Sequence, residues 1–219
     1  MKIVCLSDTH MLHNHIEVPD GDVLIHAGDM TNFGTIAEIY QVAEWMRTLP
    51  HKHKLIICGN HEREIYKSLG EKEAVKTMEA LFSGVAEFIH ERTFEIDGIK
   101  FYGQSKTPEF FDWGWMYKGG QEALDIWARM PYDIDVLVAH GPPFTFADLC
   151  VDYQTKKYKR VGCPEQLEVL KKIKPKLLIC GHIHYSQGIY LTDFGTTIVN
   201  ASICTEEYKP ENKPIVINI

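Results

Sequence analysis

No stretch of eighteen consecutive apolar residues occurs in the 219-residue chain, and no basic, apolar leader stands ahead of the first expected strand at Lys2. Neither a spanning helix nor a standard export signal is therefore expected, and the prediction is a soluble, cytoplasmic protein with no membrane partner. Basic residues are in deficit, 23 Lys and Arg against 30 Asp and Glu, for a net charge of −7. That balance repels an extended nucleic acid, although bound cations would reverse the sign locally. Six cysteines lack the clustered spacing of a disulfide framework or a zinc finger. Cys5, Cys58 and Cys180 fall within or at the ends of apolar runs, as reduced cytoplasmic thiols would. Internal repeats, low-complexity tracts and linker-like stretches are also missing. The length suits one substantial core, so one domain over residues 1–219 is expected.

Against these absences stand five short apolar runs, KIVCLSDTH, DVLIHAGD, KLIICGNH, DVLVAHG and PKLLICGHIH. Each ends in Gly or Ser and then a residue able to bind metal, as a buried strand does when its carboxyl end carries chemistry. Open α/β sheets bind ligands beyond the carboxyl ends of their strands, so motifs far apart in sequence are expected to meet. Helices are predicted over residues 35–48, 71–81, 121–130 and 164–173, the last with Pro164 at its start. RTFEI and IKFYG around Asp97-Gly98 predict a hairpin, and QGIYL, TTIVNAS and PIVINI predict further strands. The mixture points to two packed sheets. Residues 104–120 and 142–162 are the longest irregular pieces, a length usually functional or mobile.

The motifs SDTH (Ser7 to His10), GDM (Gly28 to Met30), GNHE (Gly59 to Glu62), AHG (Ala139 to Gly141) and GHIH (Gly181 to His184) occur complete and in order. In this the chain resembles the calcineurin-like metallophosphoesterase superfamily. Further stretches, among them AHGPP, RVGC and IVNASICT, are similar to a small subfamily associated with cyclic nucleotide phosphodiesterase activity. The resemblance implies a four-layer α/β/β/α sandwich of two mixed sheets, where pattern alone specifies only a mixed α/β domain. It also implies that Asp8, His10 and His184 bind one divalent metal ion, Asn60, His140 and His182 a second, and that Asp29 bridges them. Taken singly, an Asp after a strand is as readily a helix cap and Asn60 a turn residue; the five motifs in order favour the metal site. Mixed imidazole and carboxylate donors suit Mn²⁺, the working choice, or Fe, Zn²⁺ or Co²⁺.

The reaction implied is attack on phosphorus by a hydroxide bridging the two ions, held about 3.5–4 Å apart. His61 is the candidate general acid or transition-state donor, the alternative being that it orients a ligand. Many phosphatases of the superfamily continue G-D-x-x-D-R, where the second Asp orients the histidine and the Arg grips phosphate. Here the chain reads GDMTNF, with Asn32 and Phe33 at those positions. A monoester carries more charge than a diester and loses more with that Arg, so small phosphodiesters such as cyclic nucleotides are the favoured substrates. A broad phosphomonoesterase, a nuclease and a metal-binding scaffold are the alternatives. Arg63, His13, Phe110 and Trp113 are candidate substrate contacts, aromatic faces being suited to a nucleobase. The sequence is also compatible with a homodimer.

Overall fold

The structure is a computed structural model that describes residues 1–152 and 154–219. Strands β1 (Lys2–Leu6), β2 (Val23–His26), β3 (His53–Ile56) and β4 (Glu87–Phe88) open the chain. The middle adds β5 (Thr93–Ile96), β6 (Ile99–Gln104), β7 (Thr107–Pro108), β8 (Met116–Tyr117) and β9 (Val136–Ala139). There follow β10 (Leu149–Val151), β11 (Tyr158–Arg160), β12 (Leu177–Cys180), β13 (Gly188–Leu191), β14 (Thr197–Asn200) and β15 (Ile215–Asn218). One sheet has the order β15-β1-β2-β3-β4 and the other β13-β14-β12-β9-β6-β5. Their central strands run parallel, while β15, β13 and β5 pair antiparallel at or next to the edges.

The two sheets pack face to face because their strands are apolar on both sides. In β1, Ile3 and Cys5 point into the space between the sheets, where they meet Val138 of β9 and Ile179 of β12. Val4 and Leu6 point the other way, as the twofold period of a strand requires. The outer face of the first sheet is covered by α1 (Ile36–Thr48), α2 (Arg63–Leu69) and α3 (Glu71–Leu81) through Ile39, Ile65 and Met78. The outer face of the second is covered by α4 (Gln121–Trp127) and α5 (Pro164–Ile173) through Ile126 and Leu170. The result is the expected α/β/β/α sandwich with the hairpin at Asp97-Gly98. Three features differ from the prediction, the first being that the helix expected over residues 121–130 ends at Trp127. Helix α2 was not anticipated, since seven residues with one buried apolar side chain, Ile65, carry little periodicity. The stretches expected to be irregular hold the short pairs β7·β8 and β10·β11.

Helix α1 begins with a capping box that also shapes the site. The Thr35 hydroxyl accepts from the Glu38 N–H at 3.2 Å, and Glu38 in return accepts from the N–H groups of Thr35, Phe33 and Asn32. Such a cap stabilises a helix by about 1 kcal/mol. Here it also fixes the segment whose Asn32 carbonyl faces the site.

On the far side of α3, the imidazole of His90 accepts from the Ser105 N–H and so donates from Nε2 to Glu71 at 3.3 Å. Lys106 completes this group at 2.8 Å. The hydrogen bond from His90 lowers Glu71 to about 2; burial opposes the shift and Lys106 adds to it. The carboxylate therefore contributes stability above its ordinary value of 4.5 that is lost as pH falls through about 2. Glu71→Gln is expected to lower stability at pH 7, by less than about 1 kcal/mol because the carboxylate is partly solvated. Urea unfolding of both proteins should show that difference closing as pH falls from 4.5 towards 2.

Candidate metal centre

All five motifs lie at carboxyl ends of parallel strands on one edge of the sandwich. Asp8 and His10 follow β1, Asp29 follows β2, Asn60 and His61 follow β3, His140 follows β9, and His182 and His184 follow β12. Four of these residues, Asp8, His10, Asp29 and His182, have positive φ, between 43° and 68°. Such backbone costs energy in non-glycine residues and gathers at functional sites, here turning each side chain back over its strand end. Gly59 makes room between two motifs: a Cβ there would lie 2.3 Å from Asp29 Oδ1 and 2.5 Å from His140 Cε1.

The buried side chains form two groups. Asp8, His10 and His184 bring their ligand atoms within 4.8 Å of one another, and so do Asp29, His140 and His182. Asn60 joins the second group, its Oδ1 3.1 Å from His140 Nε2. Asp29 also groups with His10 and His61, which places it between the two clusters. The structure thus brings together the residues that the family resemblance grouped by motif.

The hydrogen bonds decide what the rings offer. Nδ1 of His10, His140 and His184 each meets a backbone carbonyl, of Thr31, Ala27 and Thr205, at 3.3, 2.8 and 2.9 Å. A carbonyl only accepts, so each Nδ1 carries a proton and each Nε2 is the nitrogen turned towards the site, the arrangement of metal-binding histidines. The Nε2 atoms of His10 and His184 then face each other at 3.3 Å. Two lone pairs at that distance repel unless a cation or a proton lies between them. The donor set therefore fits divalent ions.

Burial pushes His10 down to about 4 and His182 down to about 3, leaving both rings neutral as ligands must be. Burial acts on His140 in the same sense, but the Asp29 carboxylate at 3.3 Å outweighs it and raises that ring to about 9. Asp8 is likewise pushed up by burial, and the hydrogen bond and charge of His184 more than reverse this, holding it below the usual carboxylate range.

Glu62 is a functional residue that the sequence motifs alone did not single out, although it closes GNHE. Its two buried carboxylate oxygens accept four hydrogen bonds, from the N–H groups of Asp29, Thr31 and Gly59 and from the Thr31 hydroxyl, at 2.7–3.0 Å. It thereby ties the GDM loop to the GNHE loop. Burial, and after it the Asp29 charge, pushes Glu62 up to about 7, while the donors favour the anion. Glu62→Gln would turn an amide N–H₂ towards N–H donors. Metal affinity is expected to weaken about 10- to 100-fold with secondary structure retained, as metal titration of the stripped protein and circular dichroism would show.

A cavity of about 480 Å³ opens beside these groups, lined by Asp29, Asn60, His61, His182 and His184 on its polar side. Phe110, Trp113, Ile183, Tyr185 and Tyr208 supply much of the apolar side. Phe110 and Trp113 thus lie where substrate contacts were expected. Arg63 and His13 are absent from the lining. The guanidinium of Arg63 rests 4.5 Å from the Trp113 ring and 5.2 Å from that of Phe33, and His13 is buried against Trp45 at 4.9 Å. Tyr208 was not singled out from the sequence, where it lies outside every motif; its ring packs 4.8 Å from His10 and 5.3 Å from His184.

A two-sheet sandwich with carboxylate, imidazole and amide donors gathered at its strand ends defines a metallophosphoesterase. The model of the calcineurin-like phosphoesterase family matches residues 1–186, and the chain belongs to that family of phosphoester hydrolases. It is 36% identical over 236 residues to metallophosphoesterase domain-containing protein 1 of Homo sapiens, covering 100% of this chain and 71% of that protein. A UPF0046 protein of Caenorhabditis elegans is 32% identical, with 100% and 75% covered. Among solved structures, the protein TT1561 of Thermus thermophilus superposes with a TM-score of 0.59 at 13% identity, over 91% of this chain and 88% of that one, a likeness of fold.

Proposed function

We propose that this chain is a dinuclear metal-dependent phosphodiesterase acting on small diesters, cyclic nucleotides among them. The observation that carries the reading is the pair of facing Nε2 atoms of His10 and His184, with Asp29 reaching from that cluster to the one around His140. Asp8, His10 and His184 would hold one ion, Asn60, His140 and His182 the other, and Asp29 both. Bound there, the ions would supply an ionised water and positive charge for the phosphoryl oxygens. Manganese is the favoured ion, and iron, zinc and cobalt suit the same donors.

The protein's own part is to place the phosphate and to move a proton. Nδ1 of His61 donates to the Asn32 carbonyl at 2.9 Å, so Nε2 is the nitrogen left to deliver a proton to the leaving oxygen. Asp29 Oδ1 accepts the His61 N–H at 2.8 Å, which fixes the backbone from which that ring projects. The preference for diesters follows from charge. Among the described residues lining the cavity, Lys159 is the one Lys or Arg, and its ammonium already lies 3.0 Å from Asp152. A monoester dianion would find no arginine fork there, whereas a diester needs less positive charge. Phe110, Tyr185 and Tyr208 offer flat apolar surface for a base or another aromatic ester group.

The test is to strip the protein of metal, restore Mn²⁺, and compare bis(p-nitrophenyl) phosphate, p-nitrophenyl phosphate and cyclic 3′,5′- and 2′,3′-nucleotides. Metal-dependent turnover that favours the diesters is expected. Preference for the monoester would make the protein a phosphatase, and no turnover of any of them with two ions bound would point to a scaffold or to a larger substrate.

A further inference from the structure

Among the described residues, one hydrogen bond holds the His61 side chain, from Nδ1 to the Asn32 carbonyl. One such bond fixes a nitrogen but leaves the ring plane free to turn about it. The plane is set instead by neighbouring rings. The indole of Trp113 lies 4.4 Å from the His61 ring at an interplanar angle of 34°, and His10 meets it edge-on at 4.5 Å.

Trp113 is in turn held by the segment that carries His61. The guanidinium of Arg63 packs on its ring at 4.5 Å, where the ring's negative face attracts the cation. The next two residues dock on the same segment: Gly114 N–H donates to the Asn60 carbonyl at 3.2 Å, and the buried Trp115 donates from Nε1 to the Glu62 carbonyl at 3.0 Å. A Cβ at position 114 would lie 2.6 Å from Arg63 Cα, so only glycine permits this approach. Residues 113–115 therefore clasp residues 60–63, and the clasp sets one indole against one imidazole.

We propose that Trp113, backed by Arg63, is a positioning residue for His61, and that its packing against these two side chains serves this role in place of a nucleobase platform. The kinetic part of the proposal rests on the phosphodiesterase reading above. An aromatic face does here by packing what a second hydrogen-bonding partner would do by direction. It keeps Nε2 of His61 aligned with a leaving oxygen, and a misplacement of about 1 Å in such an alignment costs on the order of 100-fold in rate.

The test is a double-mutant cycle on the full chain loaded with Mn²⁺, reading kcat and KM for a cyclic nucleotide, whose alkoxide leaving group needs the proton, alongside bound metal. Trp113→Ala is expected to lower kcat on the order of tenfold or more, with KM and metal content unchanged. Trp113→Phe should restore most of the rate. In the His61→Ala background, Trp113→Ala should cost nothing further, since the residue acts through the imidazole. A rise in KM with kcat unchanged, or the same loss of kcat with and without His61, would overturn the proposal. A crystal structure of Trp113→Ala supplies a readout that needs no turnover: the His61 ring should leave its wild-type plane or occupy more than one orientation. Retention of the single wild-type orientation would overturn the proposal. Failure of the wild type to hydrolyse any diester would defeat the functional reading alone, and the crystallographic result would still decide the role of Trp113.

Discussion

Asp29→Ala is expected to give a folded protein that binds less than one metal ion per chain and turns over no phosphoester. Asp29 groups both with His140 and His182 and with His10, and its Oδ1 also accepts the N–H of His61. Removing it takes away the one carboxylate placed between the clusters and leaves His140, held up at about 9 largely by that charge, without its anion. Elemental analysis of the purified variant checks the metal, circular dichroism the fold, and the diester assay the activity. Two ions retained with full turnover would mean that the clusters act without a shared ligand.

His61→Ala is expected to separate binding from chemistry. The ring contributes no atom to the two proposed ligand sets, so both ions should remain, while kcat falls about 10²- to 10⁴-fold, the usual contribution of a placed proton donor. KM should change little. The loss should be smaller for bis(p-nitrophenyl) phosphate than for a cyclic nucleotide, because nitrophenolate leaves readily without a proton and a ribose alkoxide does not. Comparing the two substrates in one variant therefore tests the proton-donor role itself. Loss of metal in His61→Ala would instead make this residue a ligand. Equal losses for both substrates would assign it to binding the phosphoryl oxygens.

Much of the arrangement was legible in the sequence, because buried parallel strands are near-continuous apolar runs and chemistry collects where they end. The residues that follow β1, β2, β3, β9 and β12 announced themselves in that way. The capping of α1 and the start of α5 at Pro164 left ordinary local marks. What was hidden depends on contacts between distant segments. Nothing local distinguishes Glu62 as the carboxylate that joins two loops, and nothing near Tyr208 says that residues beyond β14 fold back over His10 and His184. His13 follows the first motif closely, yet its short helical turn directs it onto Trp45 and away from the cavity. The loss of the expected carboxylate partner of His61 was visible as Asn32. Its replacement by the backbone carbonyl of that same residue, with an indole packed on the ring, was not.

Crystals of the protein grown with Mn²⁺ and measured at the manganese absorption edge would test the central claim most directly. Two anomalous peaks are expected, one among Asp8, His10 and His184, the other among Asn60, His140 and His182, with Asp29 touching both. A single peak, or two that share no contact with Asp29, would contradict it.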